Sequence, residues 1–141
     1  MMDLFEQIKK DEGFRRYPYQ CSAGAWTVGY GRNIDANHGG PGVSEDEAHH
    51  MLRNDIAKAE RHLKEVFPNW LTMGTVRQNA LINMCLNLGA GGFSRFVNMI
   101  SAIKRGYWGK AGFEARDSRW FVQVGRRAER VAQEIETGVA L

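Results

Sequence analysis

The sequence predicts an α+β fold, mostly helical, with one small β-element close to the N-terminus. Two observations predict it. Apolar residues recur at helical spacing behind capping-box starts along most of the chain, whereas residues 14–32 are rich in β-formers and punctuated by glycine. A chain of 141 residues, 43% hydrophobic and 25% charged, fits one core-bearing unit and excludes disorder, collagen or a disulfide scaffold. Two independent domains of that size would each bury too little surface, so the chain divides at most into two small lobes that share a long helix.

Each element has its own reason. Asp3 followed by Glu6 is a capping-box-like start, and Leu4, Phe5 and Ile8 share a face, so a helix is expected over 4–12 with Gly13 as its stop. From Phe14 to Arg32, the run Tyr17-Pro18-Tyr19, a small-residue turn at Ser22-Ala23-Gly24 and Ala25 to Gly31 make a small antiparallel β-element. Asn33 to Gly42 is expected to be loop. Ser44 with Glu47 opens a long one-sided helix through Ala48, Met51, Leu52, Ile56, Ala59 and Leu63 that ends before Pro68, a spine joining the two lobes. Thr75 with Gln78 forms another capping box, and Ala80 to Leu88 is apolar nearly all round, as at the centre of a bundle, until Gly89, Gly91 and Gly92 stop it. Ser94 is expected to cap a helix ending at Gly106, followed by short helices around Tyr107–Ala115 and from Ser118, and by a last one from Arg126 to Glu136 closed by Gly138. The expected division is residues 13–43 as the β-containing lobe, 44–67 as the connecting helix and 70–141 as the helical lobe, with helix 4–12 packing on the latter.

Charge narrows the classes of partner. The net charge is +3, yet residues 1–70 hold nine basic and eleven acidic side chains while 101–141 hold eight basic and five acidic. A basic C-terminal end points to a polyanion, which could be nucleic acid, a membrane surface or an anionic cell-wall polymer. No apolar run approaches the ~18–20 residues of a membrane span. The first ten residues carry charges where the apolar stretch of a secretory signal would stand, so the chain is expected to stay in the cytoplasm after synthesis. Its two cysteines, Cys21 and Cys85, are read as free thiols, Cys85 as a small buried hydrophobe in an apolar helix. His38, His49, His50 and His62 have no ligand spacing, so neither a metal nor a cofactor is expected. Met73, Met84 and Met99 read as core filler.

Three polar residues stand out: Glu12 at a helix end, Cys21 nine positions on and Thr27 six further on. A hairpin after the helix can fold Cys21 and Thr27 back towards Glu12 across a cleft. One carboxylic acid facing a polar pair suits glycoside hydrolysis with an acid on one side of the bond and a held water on the other. The bare pattern is weak, since surface Glu and buried Cys are common.

Its surroundings are more specific. Asp11-Glu12-Gly13, Tyr19 and Trp26-Thr27-Val28-Gly29-Tyr30-Gly31 resemble the start of the phage-type lysozymes of glycoside hydrolase family 24, whose hallmark is a glutamate, eight residues, an aspartate or cysteine, five residues and a threonine. The resemblance recurs in Arg77-Gln78-Asn79-Ala80-Leu81-Ile82-Asn83-Met84, in Gly92-Phe93 through Phe96, in Ser118-Arg119-Trp120 and in Arg127-Ala128-Glu129-Arg130 before Thr137-Gly138. It implies a lysozyme-like fold with the cleft between the lobes, and an endolysin muramidase that cuts the β-1,4 bond between N-acetylmuramic acid and N-acetylglucosamine in peptidoglycan. Glu12 would be the general acid, its pKa raised by partial burial, with Cys21 and Thr27 holding the attacking water. Cys21 stands where the commoner aspartate would be, and a thiol of ordinary pKa ~8.5 is mostly protonated at neutral pH. Substrate-binding positions would be Tyr19, Trp26 and Tyr30, which can stack on sugars, Leu86, Asn87 and Met99 on the cleft's far side, and Arg127 near the glutamate. Arg32 stands where some relatives have histidine. Peptidoglycan is the expected partner, together with a separate holin for release into the periplasm or wall, and the protein is expected to be a monomer without nucleic acid or stable membrane insertion. Two other readings compete: a peptidoglycan peptidase with Cys21 as nucleophile and His38 as base, and a non-enzymatic module that binds polyanions through helix 126–136.

Overall fold

The computed structural model describes residues 4–20, 24, 26–29, 32–33 and 43–141. It is a mostly helical α+β chain in the order α1 (Leu4–Glu12), β1 (Arg15–Gln20), β2 (Trp26–Gly29), β3 (Arg32–Asn33), α2 (Glu45–Val66), a 3₁₀ turn (Trp70–Thr72), α3 (Thr75–Ser94), α4 (Val97–Lys104), α5 (Trp108–Arg116), α6 (Arg119–Val124) and α7 (Arg126–Thr137). The chain divides into two compact units, residues 1–50 and 51–141, with the boundary inside α2.

In the first unit, α1 ends where expected. Gly13 takes φ +67, which side chains disfavour, and its N–H donates to the Lys9 carbonyl at 2.9 Å. The three strands form an antiparallel sheet in the order β1-β2-β3. Thr27, on the central strand, is opposite Tyr19 on β1 and Asn33 on β3, while Arg15 is opposite Gly29. Asn33 therefore belongs to a strand rather than to the loop expected from it onwards, because the ladder runs one residue further than its glycine-rich surroundings indicate. The rest of that loop, 34–42, lies outside the described residues, as do Asp3 and the 22–23 part of the turn.

Ser44 caps α2 as its sequence indicates, accepting the Glu47 N–H on Oγ at 3.2 Å. The apolar stripe of α2 reaches the helical core only at its C-terminal end. Ala59 and Leu63 are buried, while Met51, Leu52 and Ile56 stand outside that core. Leu63, Phe67, Leu81, Met84, Phe93, Ile103, Val131 and Ile135 fill the core, and Phe67 and Phe93 meet edge to face at 6.2 Å. Met73, Met84, Met99 and Cys85 are buried with them. Small residues on α5 (Ala111, Gly112, Ala115) and α7 (Ala128, Ala132) are buried together.

Three helix boundaries differ from the sequence reading. Thr75 does not cap α3: the N-cap is Gly74 at φ 88°, and the Gln78 amide donates instead to the Trp70 carbonyl at 2.7 Å. A neighbouring acceptor in the 3₁₀ turn outcompetes the local box. Gly89 breaks α3 as expected (φ 76°, ψ 160°), but helix resumes through Gly91 and Gly92 to Ser94. Ser94 then ends that segment rather than opening the next, donating its hydroxyl back to the Ala90 carbonyl at 2.8 Å, and α4 starts at Val97 behind Phe96. Ser118 does cap α6, accepting the Phe121 N–H at 3.1 Å, and Gly138 closes α7 in the left-handed conformation.

Candidate active site

Glu12 is the last residue of α1, so its placement depends on the Gly13 stop; its side chain, like Cys21, Tyr30, Gly31, the Arg32 side chain and His38, lies outside the described residues. Thr27 is described, and it is the one buried polar side chain of the described set, only 4% exposed. Burial of a hydroxyl is costly without a role for it in hydrogen bonding. Its neighbours follow from the register. Cross-strand partners share a sheet face with Cβ atoms ~5 Å apart, so Tyr19 flanks Thr27 directly. Tyr19 is half-buried, and the Arg15 guanidinium carbon lies 5.0 Å from its ring centroid. Trp26, adjacent in sequence but pointing to the opposite face, is 46% exposed.

The helical unit has its own groove of about 650 Å³, lined among others by Asn87, Arg95, Phe96, Met99, Glu114 and Trp120. Within it the Trp120 indole N–H donates to Asn87 Oδ1 at 2.7 Å. The Phe96 ring meets Trp120 edge to face at 6.1 Å, and the Ser118 cap holds the turn from which Trp120 projects. Asn87 and Met99 thus share one groove, Met99 from the core side, whereas Leu86 is half-buried against the core and its neighbour Leu88 lines the groove instead. Arg127 is exposed and donates from Nε to Asn83 Oδ1 at 2.8 Å, which ties α7 to α3. Sequence reasoning passed over Trp120 and Phe96 as site residues; the signal was an indole N–H, which needs an acceptor when buried.

Burial pushes the Cys85 thiol pKa up, and this cysteine is free. Arg116 is held charged by Glu136 and Glu129, which raise its pKa. Among the described residues no group of three His, Cys, Asp or Glu side chains is placed to hold a metal ion, and no helix is long and apolar enough to cross a membrane.

Comparison with known proteins is consistent across the chain. The phage lysozyme family model matches residues 9–133. The chain is 32% identical to the pre-baseplate central spike protein Gp5 of Enterobacteria phage T4, covering 97% of this chain but 28% of the spike protein. It is 26% identical to a probable T4-type lysozyme 2 of Dictyostelium discoideum, with 96% and 94% of the two chains covered. An endolysin of Acyrthosiphon pisum secondary endosymbiont phage 1 is 34% identical over 62% of this chain and 58% of its own. Together with the mostly helical α+β fold, the family match over residues 9–133 shows that the chain belongs to the phage lysozyme family of glycoside hydrolases.

Proposed function

We propose that the chain hydrolyses the β-1,4 bond between N-acetylmuramic acid and N-acetylglucosamine in peptidoglycan, with Glu12 as general acid and Cys21 and Thr27 holding the attacking water. The observation that carries this reading is the ungapped order Glu12, eight residues, Cys21, five residues, Thr27 inside the segment matched by the family model. Thr27's burial at the centre of its sheet supports it, since a fixed hydroxyl orients a water better than a mobile one. In the reaction Glu12 gives its proton to the glycosidic oxygen as the bond to the anomeric carbon breaks. Water held beside Cys21 and Thr27 attacks that carbon, and its released proton restores Glu12's by way of solvent.

Trp26 and Tyr30 would stack on sugar rings, and the groove at Asn87 and Met99 would take a further part of the wall polymer, with Leu86 supporting its wall and Arg127 adding positive charge. The similarity to an endolysin supports action on the wall; cytoplasmic synthesis, release by a holin and action as a monomer belong to the same proposal.

The test is release of reducing ends from purified peptidoglycan by wild type and Glu12→Gln. Acid catalysis commonly contributes ~100- to 10,000-fold, so the variant should lose at least that lower factor with its circular dichroism unchanged. New amino groups without new reducing ends would identify a peptidase instead. A wild type that retards nucleic acid at physiological salt and releases neither product would identify a polyanion-binding module.

A further inference from the structure

β1 and β2 are out of step with a simple ladder. Arg15 and Tyr19 are four positions apart on β1, but their partners Gly29 and Thr27 are only two positions apart on β2. The bulged strand therefore absorbs two extra residues around Pro18, an even number, so both Arg15 and Tyr19 stay on the sheet face that carries Thr27. Without the bulge Arg15 would stand ~13 Å from Tyr19 along the strand; with it the ladder separation is ~7 Å. Gly29, opposite Arg15, has no side chain to obstruct the path. The result is the observed stacking of the Arg15 guanidinium on the Tyr19 ring at 5.0 Å, with Tyr19 itself beside buried Thr27.

We infer that Arg15 and Tyr19 form a positioning pair for Thr27: the Tyr19 ring walls one side of the Thr27 side chain, and Arg15 fixes the plane of that ring. This rests on the proposed role of Thr27 in holding water, and it gives Tyr19 a task other than sugar stacking. Threonine's stiff χ1 leaves few rotamers, so a rigid neighbour selects the one that aims the hydroxyl. A half-buried ring clamped by a cation has little free face for a pyranose; Trp26 is more exposed, lies on the opposite face and has no cation over its ring among the described residues.

Kinetics on soluble, uncross-linked peptidoglycan chains test the pair. Tyr19→Ala should lower kcat about tenfold or more with KM within twofold, Tyr19→Phe should retain at least half of kcat because the ring is kept, and Arg15→Gln should fall between them. If Tyr19→Ala unfolds, Tyr19→Leu and Arg15→Gln carry the comparison. A raised KM with kcat held would overturn the inference in favour of sugar stacking, and an unaffected kcat in both Tyr19→Leu and Arg15→Gln would overturn it outright. Glu12→Gln and Thr27→Ala run alongside: if either stays active, the proposed mechanism itself fails, whereas inactive controls with unaffected Tyr19 variants sink only the positioning pair.

Discussion

The Arg77 guanidinium donates from Nε to the Ile135 carbonyl oxygen at 2.8 Å, joining residues 58 apart in the chain. Its Nη2 donates to the Glu136 carbonyl at 2.9 Å, and the Trp108 ring centroid lies 4.2 Å from the guanidinium carbon. Carbonyls in the last turn of a helix have no intrahelical donor, and a cation there meets the negative end of the helix dipole. One side chain thus closes α7 from the first turn of α3. Burial lowers its pKa without making a guanidinium neutral at any physiological pH.

Arg77→Met, which keeps the stem and removes the donors, should destabilise the chain by about 2 kcal/mol, since two charge-assisted hydrogen bonds go at once. For a domain of this length that is a fall in Tm on the order of 5–10 °C. Thermal unfolding followed by circular dichroism reads it, and a Tm unmoved by more than a degree would show that water caps α7 equally well.

A methyl group added at Gly112 would run into the Glu136 side chain, which pairs with Arg116. Gly112→Ala should therefore cost about 1 kcal/mol, the displaced partner being a flexible side chain rather than backbone. In a Glu136→Ala background the same substitution should cost nothing or stabilise, because alanine is the better helix former. Equal losses in both backgrounds, measured by urea unfolding, would place the conflict in the α5 and α7 backbones.

Cys85 has a thiol proton held more tightly in the folded chain than in the unfolded one. Its contribution to stability is therefore complete below the ordinary thiol range and declines as pH rises through the raised folded value. In a Cys21→Ala protein, a thiol reagent at pH 8 should find no fast-reacting group until denaturant is added, then one. Rapid labelling of the native variant would mean that the helical core opens readily.

Cys21→Asp should keep substantial muramidase activity and Cys21→Ala should lose most of it, because a carboxylate can hold and polarise water as a thiol does. A peptidase nucleophile could not be replaced this way, since attack on an amide through a thioester needs sulfur. Sugar-end release by the Asp variant, assayed on purified walls, decides between them.

Much of this was legible in the chain's own chemistry. Ser44 and Ser118 cap the helices they precede because their acceptors meet N–H groups three residues on, a purely local matter. Thr75 and Ser94 mislead for the opposite reason: Gln78 finds Trp70, and Ser94 finds the carbonyl of its own preceding turn. The spacing of Glu12, Cys21 and Thr27 is visible in one dimension, whereas the groove of Asn87 and Trp120 depends on a bond across 33 residues. Nothing in the run from Arg15 to Tyr19 reveals a two-residue bulge, since only the partner strand defines the count.

That same first strand has a rim with no neighbour in the sheet among the described residues. An open rim invites a strand from another molecule, yet Pro18 supplies no N–H there, the bulge spoils the regular repeat, and Arg15 and Arg16 would set like charges against those of a second copy. The irregularity that brings a cation onto Tyr19 therefore also guards a crowded solution of this chain against growing sheets from molecule to molecule.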